Sequence, residues 1–113
     1  MKIDGNSPWR AEWEVSPTEK RVYDAPKCAL TQWVRAGSTQ GGPRGTLRFQ
    51  EYYDRVWTRA EELTFVKGSD VVGPMGADLV PVAPIYAGKF MKDHAGGEAL
   101  PLQSIGEAQL SGL

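Results

Sequence analysis

The sequence has few of the residues from which most metal and redox sites are built. It holds one cysteine, Cys28, and one histidine, His94, in 113 residues. A lone cysteine excludes an internal disulfide framework and any zinc site made of cysteines alone. A lone histidine excludes the two-histidine HExxH arrangement. An excess of either charge is also missing, since 13 Lys and Arg stand against 14 Asp and Glu. Nucleic-acid binding needs clustered basic residues, and without such a block nucleic acid is not an expected partner. Apolar runs such as residues 99–102 are far too short to cross a bilayer. Residues 1–6 carry no apolar stretch of the signal-peptide kind, which leaves the cytoplasm or a missing targeting segment as readings. The acidic residues show no paired spacing that demands acid–base catalysis, and Glu61, Glu62, Asp70 and Asp78 read as solvated surface. An enzyme is not the expected class.

What the chain does have is a balanced, core-forming composition, with 41% hydrophobic and 24% charged residues. Its length suits one domain. Residues 9–15 alternate, with Trp9, Ala11, Trp13 and Val15 on one side and Arg10, Glu12 and Glu14 on the other, the period of a half-buried strand. Residues 20–23 return as a second strand after a Ser-Pro-Thr-Glu turn. Asp24 stands where a helix N-cap belongs and Pro26 in the first turn, and Ala29, Leu30, Trp33 and Val34 give a helix over 26–35. Gly37 is its expected stop, and 38–45 reads as a Gly-rich loop. Strands follow at 46–53, 62–67 and 79–82, then a helix over 84–94 ended by Gly96-Gly97, then a strand at 99–102. Both helices start with Ala-Pro, at Ala25-Pro26 and Ala83-Pro84. Each half reads as strand–strand–helix–strand, so the expected fold is α+β, one small domain of two similar ββαβ units over 9–53 and 62–102, with a tail at 103–113.

The loop at 68–78, Gly-Ser-Asp-Val-Val-Gly-Pro-Met-Gly-Ala-Asp, is the least ordinary stretch. Met75 lies between Pro74 and Gly76, where proline fixes one turn position and glycine permits φ > 0 at another. This arrangement presents a thioether on a rigid loop, and thioether sulfur is a soft neutral ligand that suits Cu(I). The competing reading makes Met75 a plug for the core beneath. Further soft donors are Cys28, His94, Met1 and Met91. Cys28 falls in the first turn of the first helix, where the helix N-terminus lowers a thiol pKa, against the alternative of a buried, inert thiol. His94 closes the second helix, as a cap for its last carbonyls or as a ligand. Met91 shares a helical face with Phe90 and reads as core. The four tryptophans read as core or sheet packing, alternatively as a water-poor surround for a soft ion.

Four blocks, Tyr23-Asp24-Ala25-Pro26-Lys27-Cys28, Glu51-Tyr52-Tyr53-Asp54, residues 68–76 and residues 90–97, resemble successive blocks of the NosL family of nitrous oxide reductase accessory proteins. The resemblance runs from Trp9 to Ile105. It implies two ββαβ units and a copper-binding lipoprotein of the bacterial periplasm or cell envelope. It further implies Cu(I) delivery to nitrous oxide reductase, with a copper-enzyme maturation complex as partner. The membrane would be reached only through a lipid anchor upstream of this chain. By that resemblance Met75 is a metal ligand, with Asp70, Gly73, Pro74 and Gly76 as the support of its loop; His94 and Cys28 stand as further candidates on their donor chemistry.

The family's other metal motif, Cys-Gly-Met before the first strand, has only its methionine here, at Met1. Either the sequence starts inside the motif or it is a natural variant with a reduced site, and the abrupt start favours the first. A second function from another class stands beside copper binding, a metal-free interaction module that docks a partner through 68–78. A lyase-like enzyme on a related scaffold would need cysteine pairs that are absent.

Overall fold

Alternation in the N-terminal stretch produces an antiparallel pair. Strand β1 (Ala11–Ser16) buries Ala11 and Trp13 on one face and turns Glu12 and Glu14 to the other. Strand β2 (Glu19–Tyr23) pairs with it through a turn in which Ser16 Oγ accepts the Thr18 and Glu19 amide protons, at 3.3 and 3.1 Å. Helix α1 (Pro26–Arg35) then carries the chain across to β3 (Thr46–Gln50), which lies on the other side of β1 with Leu47 opposite Trp13. A short edge strand, β4 (Trp57–Arg59), completes a sheet of order β2-β1-β3-β4. This computed structural model describes residues 8–36, 45–74, 76–94 and 97–111.

The second half repeats the plan. Central β5 (Thr64–Lys67) is followed by a two-stranded hairpin, β6 (Val72–Gly73) and β7 (Gly76–Ala77). Then come β8 (Val80–Val82), helix α2 (Pro84–Asp93) and β9 (Glu98–Pro101), giving a sheet of order β8-β5-β9. In each half the first strand sits in the middle, flanked by the second and the last, and the helix links the two flanking strands. The structure is therefore α+β with two ββαβ arrangements in one domain. A short helix, α3 (Glu107–Leu110), follows and packs on α1.

The halves share a core. Phe49 of β3 and Phe65 of β5 meet edge to face with centroids 5.1 Å apart, and both are fully buried. Each such side chain stabilises the fold by roughly 1.5–3 kcal/mol through removal from water. A second cluster, Val66, Val80, Val82 and Phe90, packs α2 on the second sheet, with Met91 and Tyr52 against it. Among the described residues no helix is long and apolar enough to cross a membrane.

Several boundaries depart from the sequence expectation for identifiable reasons. The strand expected over 46–53 stops at Gln50, because Glu51 turns the chain by accepting the Tyr53 and Asp54 amide protons at 2.8 and 2.6 Å. The strand expected from 62 starts at Thr64, since Ala60–Glu62 form one 3-10 turn. The last strand is Glu98–Pro101 rather than 99–102, and β8 begins at Val80 rather than 79. Helix α1 spans the expected residues, but its N-cap is Ala25 and not Asp24. Helix α2 ends at Asp93, with His94 as its C-cap. Strand β4 and the 72–77 hairpin were not foreseen, and Trp57, expected in the core or in sheet packing, lies in β4 and is 40% exposed. The expected loop at 38–45 and the stops at Gly37 and Gly96 lie largely outside the described residues, with Gly45 alone within them.

Candidate metal centre

The loop at 68–78 is mostly a tight β-hairpin. Val72 pairs with Ala77 and Gly73 with Gly76, so the connection is the dipeptide at 74–75. Gly76 has φ +93°, a left-handed conformation that disfavours any side chain, and it opens β7. Gly73 is required for a different reason. A Cβ there would lie 3.3 Å from Cε3 of Trp9 and 3.4 Å from Oδ2 of Asp78. The segment leading into β1 thus passes directly over the base of the hairpin. Met75 and Met1 lie outside the described residues; Pro74 is exposed.

The hairpin is fixed to α1 from below. Asp78 follows β7 and is 2% exposed, which corrects its reading as solvated surface. Its Oδ1 accepts two backbone protons, from Lys27 at 2.8 Å and Leu79 at 2.7 Å. Lys27 Nζ donates to the Ala77 carbonyl at 3.0 Å, so one residue of α1 grips the hairpin twice. Helix α1 starts at Ala-Pro with no side-chain cap of its own, and Asp78 supplies the acceptor that a Ser or Asp N-cap would give. Asp78 Oδ2 is buried with no hydrogen-bond partner among the described residues. Burial pushes this carboxyl up from 3.8 to about 6, the two backbone bonds and Lys27 opposing the rise.

Cys28, on the next turn position of α1, answers to the same carboxylates. Its thiol is raised above the ordinary value, first by burial and then by Asp24 and Asp78. The helix N-terminus was expected to lower it; burial and two nearby negative charges win. Cys28 is therefore mostly protonated at neutral pH, a weak donor.

His94 sits at the other end of the loop. Its Nδ1 lies 3.1 Å from Asp70 Oδ1, and its backbone carbonyl accepts the Asp70 amide proton at 3.0 Å. The ring stacks obliquely on Phe90, 4.7 Å between centroids, and its Nε2 is 3.4 Å from the Tyr52 hydroxyl. An Asp70 carboxylate on Nδ1 favours the tautomer with its proton there, the usual support for a metal-binding imidazole, and leaves the Nε2 lone pair facing the Tyr52 hydroxyl, a contact that a metal ion would replace. Instead of capping α2 with its side chain, His94 ties α2 to the start of the hairpin loop. The turn beside Asp70 is held by Ser69 Oγ, which accepts the Val71 amide proton at 3.3 Å.

Asp70, Gly73, Pro74 and Gly76 thus belong to one hairpin, with His94 tied to its start and Cys28 near its base. Among the described residues no group of three or more His, Cys, Asp or Glu is placed to hold a metal ion. Sequence reading passed over Asp78 and Glu51. The signal that points to them is the pair of Ala-Pro helix starts, each lacking Ser, Thr, Asp or Asn at its N-cap.

The NosL family model matches residues 9–110 of this chain. No curated protein matches it. Among solved structures, the crystal structure of the copper chaperone NosL from Shewanella denitrificans superposes with a TM-score of 0.70 at 14% identity. That match covers 90% of this chain and 82% of the other. At such low identity the likeness speaks for the fold.

Proposed function

The chain belongs to the NosL family, and from that membership we propose that it is a copper-binding accessory protein that carries Cu(I) to nitrous oxide reductase in the bacterial cell envelope. The observation that carries this reading is the hairpin itself. Gly73 and Gly76 pair across it and leave Pro74 and Met75 as its connection, anchored below by Asp78 and at its start by the Asp70–His94 pair. Strands braced in this way lose little chain entropy when an ion binds beside them. Thioether and imidazole donors suit Cu(I) and tolerate its release, which a carrier needs as much as capture.

In this reading Met75 supplies sulfur and His94 Nε2 supplies nitrogen, with Asp70 orienting the ring. Met1, from the N-terminal segment, completes the set in this reading. Cys28 contributes least, because its thiol is raised. The copper-enzyme maturation machinery is the partner, and any membrane attachment is through a lipid anchor ahead of this sequence. The protein acts as a carrier and not as an enzyme.

The structural relative, titled a copper chaperone, supports the same direction. The test is X-ray absorption at the copper edge on the Cu(I)-loaded chain and on Met75→Ala. The expected result is a sulfur shell at thioether distance that loses amplitude in the variant. An unchanged sulfur shell removes Met75 from the site.

A further inference from the structure

Beside the hairpin, and separate from its tip, lies an open cleft of about 280 Å³. Its apolar surfaces come from Trp9, Val71, Val72 and Pro81, and Tyr52 and Arg55 stand at its polar side. Val72 is 67% exposed although it lies in a strand. Among the described residues the lining includes one formally charged side chain, Arg55, and no carboxylate, with Gln50 adding a further polar group. The cleft therefore presents a mixed surface, apolar on the side of Trp9, Val72 and Pro81, with a positive charge on its polar side.

Arg55 holds that position against a backbone penalty. Its φ is +56°, and it is the non-glycine residue with positive φ among those described. It ends the turn between β3 and β4, where its amide proton goes to the Glu51 carbonyl at 2.8 Å and the Glu51 amide proton goes to the Val56 carbonyl at 3.0 Å. Glycine or asparagine meets that left-handed requirement at far lower cost, so arginine is not there for the turn. Among the described residues its guanidinium pairs with no carboxylate. A planar donor fork left open beside the apolar side of the cleft matches a carboxylate carried next to an apolar group.

We propose that this cleft is a docking site for an extended acidic segment of a partner protein, with an apolar side chain lying on Trp9, Val72 and Pro81 and a neighbouring Asp or Glu carboxylate on Arg55. Charge complementarity selects the occupant, since an uncharged apolar peptide would leave the guanidinium unmatched and a basic one would be repelled. The cleft needs no metal to be formed, and this docking does not depend on copper binding.

The test uses the full chain, isotope-labelled, and a panel of acetylated, amidated hexapeptides carrying Leu or Phe beside Asp or Glu, with Asn and Gln counterparts. The expected result is saturable shift changes at Trp9, Tyr52, Val71 and Val72 with the acidic peptides, and binding at least about tenfold weaker with the amide ones. Arg55→Asn and Arg55→Gly are predicted to melt at a higher temperature than the parent, which shows they fold, and to bind both peptide sets equally weakly. Arg55→Lys retains part of the acidic preference. No saturable shifts at these residues, or an acidic preference that survives Arg55→Asn, overturns the proposal. Cu(I) affinity, measured on the same variants, is expected to be unchanged; a loss there in parallel with peptide binding would also overturn it, because the arginine would then act on the metal site.

Discussion

Glu51 and Asp78 brace opposite halves of the molecule, each at the start of the other half's helix. Glu51, at the end of β3 in the first half, accepts the Ala83 amide proton on Oε2 at 2.9 Å, at the N-terminus of α2. Asp78, before β8 in the second half, accepts the Lys27 amide proton at the N-terminus of α1. Both helices begin with Ala-Pro and lack a side-chain cap of their own. The orphan amide groups at each helix start are therefore met from across the domain. The difference between the two carboxylates is their completeness. Glu51 meets three amide protons with both oxygens, whereas Asp78 meets two with one oxygen and leaves the other buried and unpartnered.

That incompleteness has a pH signature. Asp78 is raised in the folded chain to about 6 from 3.8. A carboxyl raised on folding favours the folded state below the unfolded value, and the contribution is lost as pH rises through the folded one. Between pH 4 and pH 7 this group should cost the protein roughly 3 kcal/mol. Asp78→Asn lacks the titration, so the difference in unfolding free energy between parent and variant should change across this window. The check is urea unfolding at several pH values. A difference that is flat from pH 4 to pH 7 contradicts the assignment.

Glu51 should behave as a structural staple. Glu51→Ala leaves three part-buried amide groups without this acceptor and should destabilise by about 2 kcal/mol. Glu51→Gln keeps an oxygen for the Tyr53 and Asp54 amide protons but turns a donor toward Ala83, and should cost about half as much. Equal stability of all three proteins in denaturant titration would show that the turn and α2 hold without this carboxylate.

The two nearer candidate donors should separate cleanly. Asp70→Asn, with His94 retained, is expected to weaken Cu(I) binding by about tenfold, as loss of a carboxylate behind a ligating imidazole does. His94→Ala should weaken it at least as much, and adding Asp70→Asn to His94→Ala should change nothing further. Cys28→Ser should leave affinity unaltered, and Cys28 alkylation should rise only at pH above that of a free thiol, in line with its raised value. Affinity lost in Cys28→Ser but kept in His94→Ala would reverse the donor assignment.

Much of the fold was legible because its signals are local. Alternation placed β1, helical spacing placed α1 to the residue, and the repeated Ala-Pro start exposed the likeness of the halves. Short elements held by long-range contacts were not legible. Strand β4 has three residues and exists because it pairs with β3, and the hairpin strands have two residues each. The same reason hid Asp78 and Glu51. A lone acidic residue before an apolar run looks like surface until the fold brings an uncapped helix to it. Of the loop, the positive φ at Gly76 could be read because glycine adopts it without strain. The Asp70–His94 pair could not, since 24 residues separate its members.

The central claim is that Met75 carries Cu(I) together with donors from the segment before β1, where a thiolate would be the strongest soft ligand. The most direct measurement is a competition titration with a chromogenic Cu(I) chelator under reducing conditions. It compares the chain as printed, the chain extended by Cys-Gly ahead of Met1, and the extended chain carrying Met75→Ala. The account predicts weak binding by the first, since its donors are neutral and Met1 sits at a chain end that must be ordered to coordinate. It predicts at least about a hundredfold tighter binding by the second, equivalent to roughly 3 kcal/mol, and loss of most of that gain in the third. An extension that gains nothing, or a gain that Met75→Ala leaves intact, would contradict it.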